Sequence, residues 1–145
     1  MIRRFQGLHQ ADPSAAAETP DGVFLVSVQR AHYRWHAQKP YYLIRFVVVE
    51  PQQLAEKTIV GRLYCTTKAL WKFTWFLRDF GYDNELLGRD EVDDKNLVGL
   101  TGIVKISHVV INGSSLINLE GFAPASHWEE LFVASAAKVL DPEVA

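Results

Sequence analysis

The chain has 145 residues, of which 48% are hydrophobic and 22% are charged, and its formal net charge is −2. This size and composition predict one soluble globular domain that is large enough to bury a core. No apolar run reaches the roughly 20 residues of a membrane span, and the N-terminus lacks the apolar stretch of a signal peptide. The single cysteine, Cys65, excludes an internal disulfide framework. We therefore expect a cytoplasmic protein.

The charges are distributed unevenly along the chain. Residues 29–72 carry eight basic and two acidic side chains, a balance of +6. Residues 73–145 carry five basic and twelve acidic side chains, a balance of −7. A basic half beside an acidic half indicates an anionic partner for one face of the molecule.

The N-terminal part of the chain predicts a flexible segment followed by a first strand. Residues 1–21 have little to bury, and Pro20-Asp21-Gly22 is a turn sequence. Alternating apolar residues then predict a strand over 23–32. The following stretch, 33–39, is both aromatic and basic, and we interpret it as the loop to the second strand. It contains Tyr33, Arg34, Trp35 and Lys39.

Two further strands are predicted at 40–50 and 58–65. The stretch 40–50 is rich in β-branched and aromatic residues and is flanked by prolines, as is typical of a strand. Its alternation places Tyr41 and Arg45 on one face and only uncharged residues on the other. The third strand repeats this pattern, with Arg62 and Tyr64 on its polar face. Gly61 inside it indicates a bulge or a bend.

The rest of the chain predicts a helix, a hairpin and a second helix. A helical stripe of Leu70, Phe73, Leu77 and Phe80 indicates a helix that starts after Thr66 or Thr67 and ends at Gly81. The acidic stretch 83–96 is interpreted as a solvated loop with one helical turn. Strands are predicted at 101–111 and 115–122 because Asn112-Gly113 is a strong hairpin signal. A capping box at 126–129 predicts an amphipathic helix to residue 140.

This order of elements predicts a mainly β protein with two helices. Five strands with a helix between the third and the fourth are typical of a five-stranded Greek-key barrel of the OB-fold type. We assign residues 22–124 to the barrel and 125–145 to a C-terminal amphipathic helix and tail. The alternative is an open α+β sheet with its helices on one face.

Four segments resemble a family of small phage and prophage proteins. They are GVFLVSV at 22–28, KPYYL at 39–43, TTKALWKF at 66–73 and NLVGLTGIVKI at 96–106. The family carries a domain of unknown function and is often described as OB-like and single-stranded DNA-binding, encoded near recombination and replication genes. The resemblance covers roughly residues 22–124. It implies a role in phage-type replication or recombination, in the cytosol of a bacterium or a phage-infected host.

We expect the ligand to lie across the second and third strands and the loops beside them, as is usual for OB-folds. The expected function is binding of single-stranded nucleic acid, with DNA as the first expectation and RNA as the alternative, with little sequence preference, by base stacking and phosphate contacts. The candidate stacking platforms are Tyr33, Trp35, Tyr41 and Tyr64, and the candidate phosphate contacts are Arg34, Lys39, Arg45 and Arg62. For each aromatic ring, packing in the core remains the alternative.

Other functions have less support in the sequence. His32 and His36 lack an accompanying carboxylate motif, Cys65 has no neighbour that lowers its pKa, and no phosphate-binding glycine loop is present. We therefore expect no enzyme activity, metal or cofactor. The alternative function is a protein-interaction or assembly module that does not bind nucleic acid. Expected partners are replication and recombination proteins, or a second copy of the chain through the C-terminal helix.

Overall fold

The structure is a computed structural model that describes residues 1–6 and 19–131. Its strands are β1 (Gly22–His36), β2 (Lys39–Glu50), β3 (Thr58–Tyr64), β4 (Thr101–Ile111) and β5 (Ser114–Pro124). Its helices are α1 (Leu70–Asp79) and the short α2 (Asn84–Gly88), and a further helical stretch begins at residue 128. Short 3-10 turns lie at Gln52–Leu54, Asp94–Asn96 and Ala125–His127. The predicted mainly β class is confirmed.

All five strands belong to one antiparallel sheet with the order β3-β2-β1-β4-β5. The sheet is open, since β3 and β5 are its two edges and no hydrogen-bonded ladder joins them in the described part of the chain. The predicted OB-fold-like barrel is therefore not confirmed. The two edges nevertheless come close together at Gly61 of β3 and Leu119 of β5. There is no room for a side chain between them, since a Cβ atom added to Gly61 would lie 2.6 Å from Leu119 Cγ. Gly61 thus serves a close approach, and the β2–β3 register runs through it without the predicted bulge.

The core lies between the inner face of the sheet and α1. Ile44 and Phe46 of β2 are fully buried, and the Phe46 ring meets the Phe76 ring of α1 edge to face at 6.0 Å. Burial of each such side chain contributes about 1.5–3 kcal/mol. The helical stripe was predicted in part, since Leu77 is buried but Leu70 is 44% exposed and Phe76 was missed.

The ends of α1 follow from local chemistry. The helix begins at Leu70, later than predicted, and Ala69 at its N-cap makes no side-chain hydrogen bond. At the other end Gly81 has φ +80°, and the Tyr82 N–H donates to the Leu77 carbonyl oxygen at 2.9 Å. Glycine adopts this left-handed conformation without a Cβ clash, so the predicted end of the helix is confirmed.

The stretch 33–39 is not a loop, as the sequence suggested, but the end of a long β-hairpin. β1 continues to His36, and only Ala37 and Gln38 form the turn, with φ 51° and 63°. A two-residue turn with positive φ at both positions matches the right-handed twist of a hairpin, but it usually contains Asn or Gly. Ala-Gln gives no such signal, which is why the turn was missed.

A register shift in β1 decides which way its second half faces. Val28 is buried on the inner face opposite Phe46, and the pairing shifts between Val28 and Arg30, so that Arg30 lies opposite Arg45. The residues before the shift point inward at even positions, and those after it at odd positions, beginning with buried Ala31. Such a bulge reverses the face of every later side chain in the strand.

The acidic stretch 83–96 is more ordered than the predicted solvated loop. The Asp83 carboxylate accepts hydrogen bonds from the backbone N–H groups of Glu85 and Leu86, at 2.8 and 3.2 Å, and caps α2. The buried Tyr82 hydroxyl donates to the Glu91 carbonyl oxygen at 3.0 Å and accepts from the Asp93 N–H at 2.9 Å. The predicted helical turn is confirmed as α2.

Two predicted segments lie largely outside the described residues, namely the N-terminal segment 1–21 and the helix 126–140. Residues 1–6 and 19–21 of the first are described, and Thr19 and Asp21 contact two strands of the sheet. Thr19 donates to the Thr58 carbonyl oxygen of β3 at 3.1 Å, and Asp21 accepts from the His108 N–H of β4 at 2.8 Å. Among the described helices, none has the length and apolar character needed to cross a bilayer.

Candidate functional site

The outward side of β1, β2 and β3 carries most of the predicted site. Residues paired across antiparallel strands share a face, and the register forms four rows. We call this surface the basic face; its rows are Arg30–Arg45–Val60, His32–Leu43–Arg62, Arg34–Tyr41–Tyr64 and His36–Lys39. It unites six of the eight predicted site residues, all except Tyr33 and Trp35.

The basic face has cations but no carboxylate to neutralise them. Glu50, at the end of β2, is the only acidic residue in the three strands. In the described part of the chain, the ion pairs join Lys105 to Glu120 and His108 to Asp21, away from this face. Arg30 and Arg45 even lie directly opposite each other, an arrangement of like charges that destabilises a sheet unless an anion is near. The surface is therefore suited to an anionic ligand.

Tyr41, Arg62 and Tyr64 form a packed group on this face. The Arg62 guanidinium lies 5.0 Å from the centre of the Tyr41 ring, and an Arg62 N–H donates to the Tyr64 hydroxyl at 3.4 Å. The hydrogen bond to Tyr64 raises the pKa of Arg62 further, so the group remains charged. Tyr41 is only 7% exposed under these neighbours. The sequence predicted that the Tyr41 ring stacks with a nucleobase, but the ring is covered. It packs beneath the Arg62 guanidinium instead.

Tyr33 and Trp35 lie on the opposite side of the hairpin, because the bulge in β1 turns them away from the arginines. Their rings continue a row of aromatic contacts out of the core. Phe73 stacks on Tyr42 at 5.2 Å, Tyr42 meets Tyr33 at 5.3 Å, and Tyr33 meets Trp35 at 6.1 Å. Tyr33 is 46% and Trp35 63% exposed. Both rings are therefore available to stack with a nucleobase, and the aromatic row beneath them holds them in place.

Tyr42 connects this aromatic row to the acidic stretch. Its hydroxyl donates to Asp94 Oδ1 at 2.7 Å. Burial and this hydrogen bond raise the pKa of Tyr42 well above its usual value, so the hydroxyl remains a donor. Because Tyr42 lies directly opposite Tyr33 in the hairpin, the bond also fixes the platform on which Tyr33 rests.

An open cleft of about 940 Å³ adjoins the basic face. One wall is β3, with Val60, Arg62 and Tyr64, and the other is the β4–β5 hairpin, with Val109 and Leu116. This volume lies within the usual range of about 300–1,000 Å³ for ligand sites. The cleft and the basic face share Arg62, and the cleft is also lined by one acidic residue, Glu56.

Sequence reasoning missed four contributors to this surface. Arg30, His32 and His36 join the basic face, and Lys72 of α1 lines the cleft. Because of the bulge after Val28, the alternation of apolar residues in the sequence does not predict the outward position of Arg30, His32 and His36. Lys72 reaches the cleft only through the tertiary contact of α1 with the sheet edge. The excess of basic residues between positions 29 and 72 is a signal for Arg30 and Lys72 only, since the two histidines are not counted in it.

The remaining reactive groups do not form a catalytic cluster on this surface. Burial raises the pKa of the Cys65 thiol, which disfavours the reactive thiolate at neutral pH. Its Sγ donates to the Leu63 carbonyl oxygen at 3.8 Å. Within the described ranges, no three His, Cys, Asp or Glu side chains are arranged to hold a metal ion.

Neither the models of known protein families nor the curated proteins contain a match to this chain. The geometry of its own residues is therefore the basis on which a function can be assigned.

Proposed function

We propose that this protein binds single-stranded nucleic acid, with DNA as the expected ligand, on the basic face and with little sequence preference. Phosphates follow Arg34, Lys39, Arg45 and Arg62, and bases stack on Tyr33 and Trp35 at the end of the hairpin. The observation that carries the proposal is the pairing of Arg30 with Arg45 on a face of three strands that has no acidic partner for them.

Single-stranded nucleic acid fits this surface better than duplex does. Exposed, rigidly supported aromatic rings provide stacking platforms, each worth about 1–3 kcal/mol per base, and only an unpaired base offers its ring to them. The cations and the platforms lie on opposite sides of one hairpin, so the ligand has to bend around its edge. A flexible single strand bends in this way far more readily than a duplex, whose persistence length is about 150 base pairs.

The fold supports the same proposal. The strand order β3-β2-β1-β4-β5, with α1 between β3 and β4, is the order of an OB-fold barrel whose last seam is unpaired. The contact of Leu119 with Gly61 brings the two edges together at that seam. We propose that the chain is an OB-like domain, and that it serves phage-type replication or recombination, the role that its resemblance to the phage family implies.

A second candidate is a protein-interaction module. It is favoured by the exposed apolar end of the β4–β5 hairpin, where Val110 is 74% and Ile111 52% exposed, and by Trp71 on α1, which is 63% exposed. Neither group lies on the basic face. A protein partner bound there would leave the basic face open, whereas it would meet the cleft at Ile111.

A fluorescence titration with oligo-dT over a series of salt concentrations tests the proposed function. We expect binding that weakens as salt rises, with a slope of log K against log salt of about −0.7 per phosphate contact. A duplex of the same length should bind more weakly. Absence of binding at low salt, or an affinity that does not change with salt, would contradict the proposal and favour the interaction module.

A further inference from the structure

The cleft between β3 and the β4–β5 hairpin contains a cation that the basic face does not use. Lys72, in the first turn of α1, lines the cleft together with Arg62 of β3. The two residues come from different elements and are ten positions apart in the chain. Only the packing of α1 against the sheet edge brings them to one cavity.

Lys72 is half-buried, and the one carboxylate that acts on its charge among the described residues, Glu120, is shared with Lys105. Burial lowers its pKa, and the nearby carboxylate of Glu120 opposes this only in part. That carboxylate lies 3.6 Å from Lys105 Nζ, with which it forms an ion pair. No hydrogen bond or ion pair connects Lys72 to any other residue that the structure describes. A partly desolvated charge of this kind costs free energy, which a bound anion recovers.

Arg62 presents a fixed guanidinium to the same cleft. The Tyr41 ring beneath it and the Tyr64 hydroxyl beside it hold the group in place, and neither of them neutralises its charge. Arginine binds phosphate oxygens through two parallel N–H donors, whereas lysine acts as a compact point charge. A fixed arginine and a partly desolvated lysine are together a suitable pair of donors for a phosphate group.

We propose that Arg62 and Lys72 form a phosphate-binding site in this cleft, separate from the phosphate contacts along β1 and β2. The inference rests on the proposed function, since the expected phosphate belongs to the bound strand. In this arrangement the bound nucleic-acid strand leaves the basic face at Arg62 and enters the cleft between the two sheet edges. The phosphate is either an internal phosphodiester of the strand or a terminal phosphate.

The test is the variant Lys72→Gln in the full chain, titrated with oligo-dT at several salt concentrations. We expect about a tenfold loss of affinity and a salt slope less steep by about 0.7, the change for one lost phosphate contact on a single strand. Lys72→Arg should retain most of the affinity. The matched control is Lys68→Gln, which removes the same charge from an exposed position that does not line the cleft.

The source of the phosphate is decided by comparing oligo-dT with and without a 5′-phosphate, and by adding thymidine monophosphate as a competitor. A preference for the phosphorylated end that Lys72→Gln abolishes identifies a terminal phosphate. Equal binding of both oligonucleotides, with the Lys72→Gln loss intact, identifies an internal phosphodiester.

The outcomes separate the two proposals. If the wild-type chain binds oligo-dT while Lys72→Gln matches it in affinity and slope, or is weakened no more than Lys68→Gln, the cleft site is wrong and the proposed function stands. If the wild-type chain binds no oligonucleotide but binds the monophosphate through Lys72, the site stands and the proposed function is wrong. Thermal unfolding of Lys72→Gln should show no loss of stability, because the substitution removes a half-buried charge.

Discussion

The basic face and the acidic stretch 83–96 carry opposite charges, and the fold treats them differently. Three of the six acidic side chains in the second region accept hydrogen bonds from the fold. Asp83 caps α2, Asp93 accepts from the Lys95 N–H at 3.0 Å, and Asp94 accepts the Tyr42 hydroxyl. Among the described residues, no carboxylate pairs with a cation of the basic face. Charges that the fold satisfies stabilise the fold, whereas charges that it leaves unsatisfied are available to a ligand.

Charge reversal on the basic face should have the largest effect. We expect Arg45→Glu together with Arg62→Glu to lower oligonucleotide affinity by more than about 100-fold, because two phosphate contacts are lost and two repulsive charges are added. Affinity is measured by titration and the fold by circular dichroism. Unchanged affinity in a folded variant would place the site elsewhere.

The control for this reversal is Arg89→Glu together with Lys95→Glu. It changes the net charge by the same amount as the first double variant, but both positions lie within the acidic stretch. Both positions are exposed. We expect a change of less than about threefold, because neither position belongs to the basic face and salt weakens the effect of exposed charges that do not contact the ligand. An equal loss in both double variants would mean that only the net charge matters.

The second effect compares two tryptophans of equal exposure. Trp35 and Trp71 are both 63% exposed, but only Trp35 lies on the β1–β2 hairpin whose other side is the basic face. Trp35→Ala should weaken oligo-dT binding about tenfold or more, since a stacked base contributes about 1–3 kcal/mol. Trp71→Ala should change it less than about twofold. Equal losses measured by titration would remove base stacking at the hairpin from the proposal.

The third effect concerns the link between the two regions. Tyr42→Phe removes the hydrogen bond to Asp94 and should lower the free energy of unfolding by about 1 kcal/mol. Oligonucleotide affinity should change little, because the substitution keeps the ring on which Tyr33 packs and Tyr42 itself is only 6% exposed. Asp94→Asn should lower stability through the same bond, so a double-mutant cycle in urea checks the assignment. Additive losses would show that the bond contributes nothing.

The same bond makes stability depend on alkaline pH. The pKa of Tyr42 is raised in the folded state above its ordinary value of 10.0, so the unfolded chain releases this proton first. The contribution of Tyr42 is therefore complete below pH 10 and is lost as the pH rises through the folded pKa. Above pH 10, wild type should lose stability faster than Tyr42→Phe in urea titrations. Parallel curves would contradict this.

The smallest effect is expected at Asp21, another paired acid. Its hydrogen bonds from the backbone and ring of His108 lower the pKa of Asp21 below its usual 3.8. Asp21→Asn retains an acceptor oxygen and removes only the charge. The variant should be slightly less stable at neutral pH, and the difference should vanish as the pH falls through the depressed pKa. Thermal unfolding at several pH values measures it, and a difference that persists in acid would assign it to another cause.

The sequence by itself determined the elements of this protein wherever local chemistry was explicit. Alternating apolar residues located the strands, Asn112-Gly113 fixed the β4–β5 turn, and Gly81 ended α1. The turn at Ala37–Gln38 escaped because neither residue favours positive φ. Its conformation follows from the pairing of β1 with β2, which continues to the last residue of β1.

The candidate site was determined only in part. The alternation of β2 and β3 correctly grouped Arg45 with Arg62, because side chains alternate strictly along an undisturbed strand. The bulge after Val28 has no signature in the local sequence, and it moved Arg30 onto the basic face and Tyr33 and Trp35 off it. The burial of Tyr41 and the entry of Lys72 into the cleft depend on side chains distant in sequence. The sequence determined which charges and rings are present, and tertiary packing decided which of them share a surface.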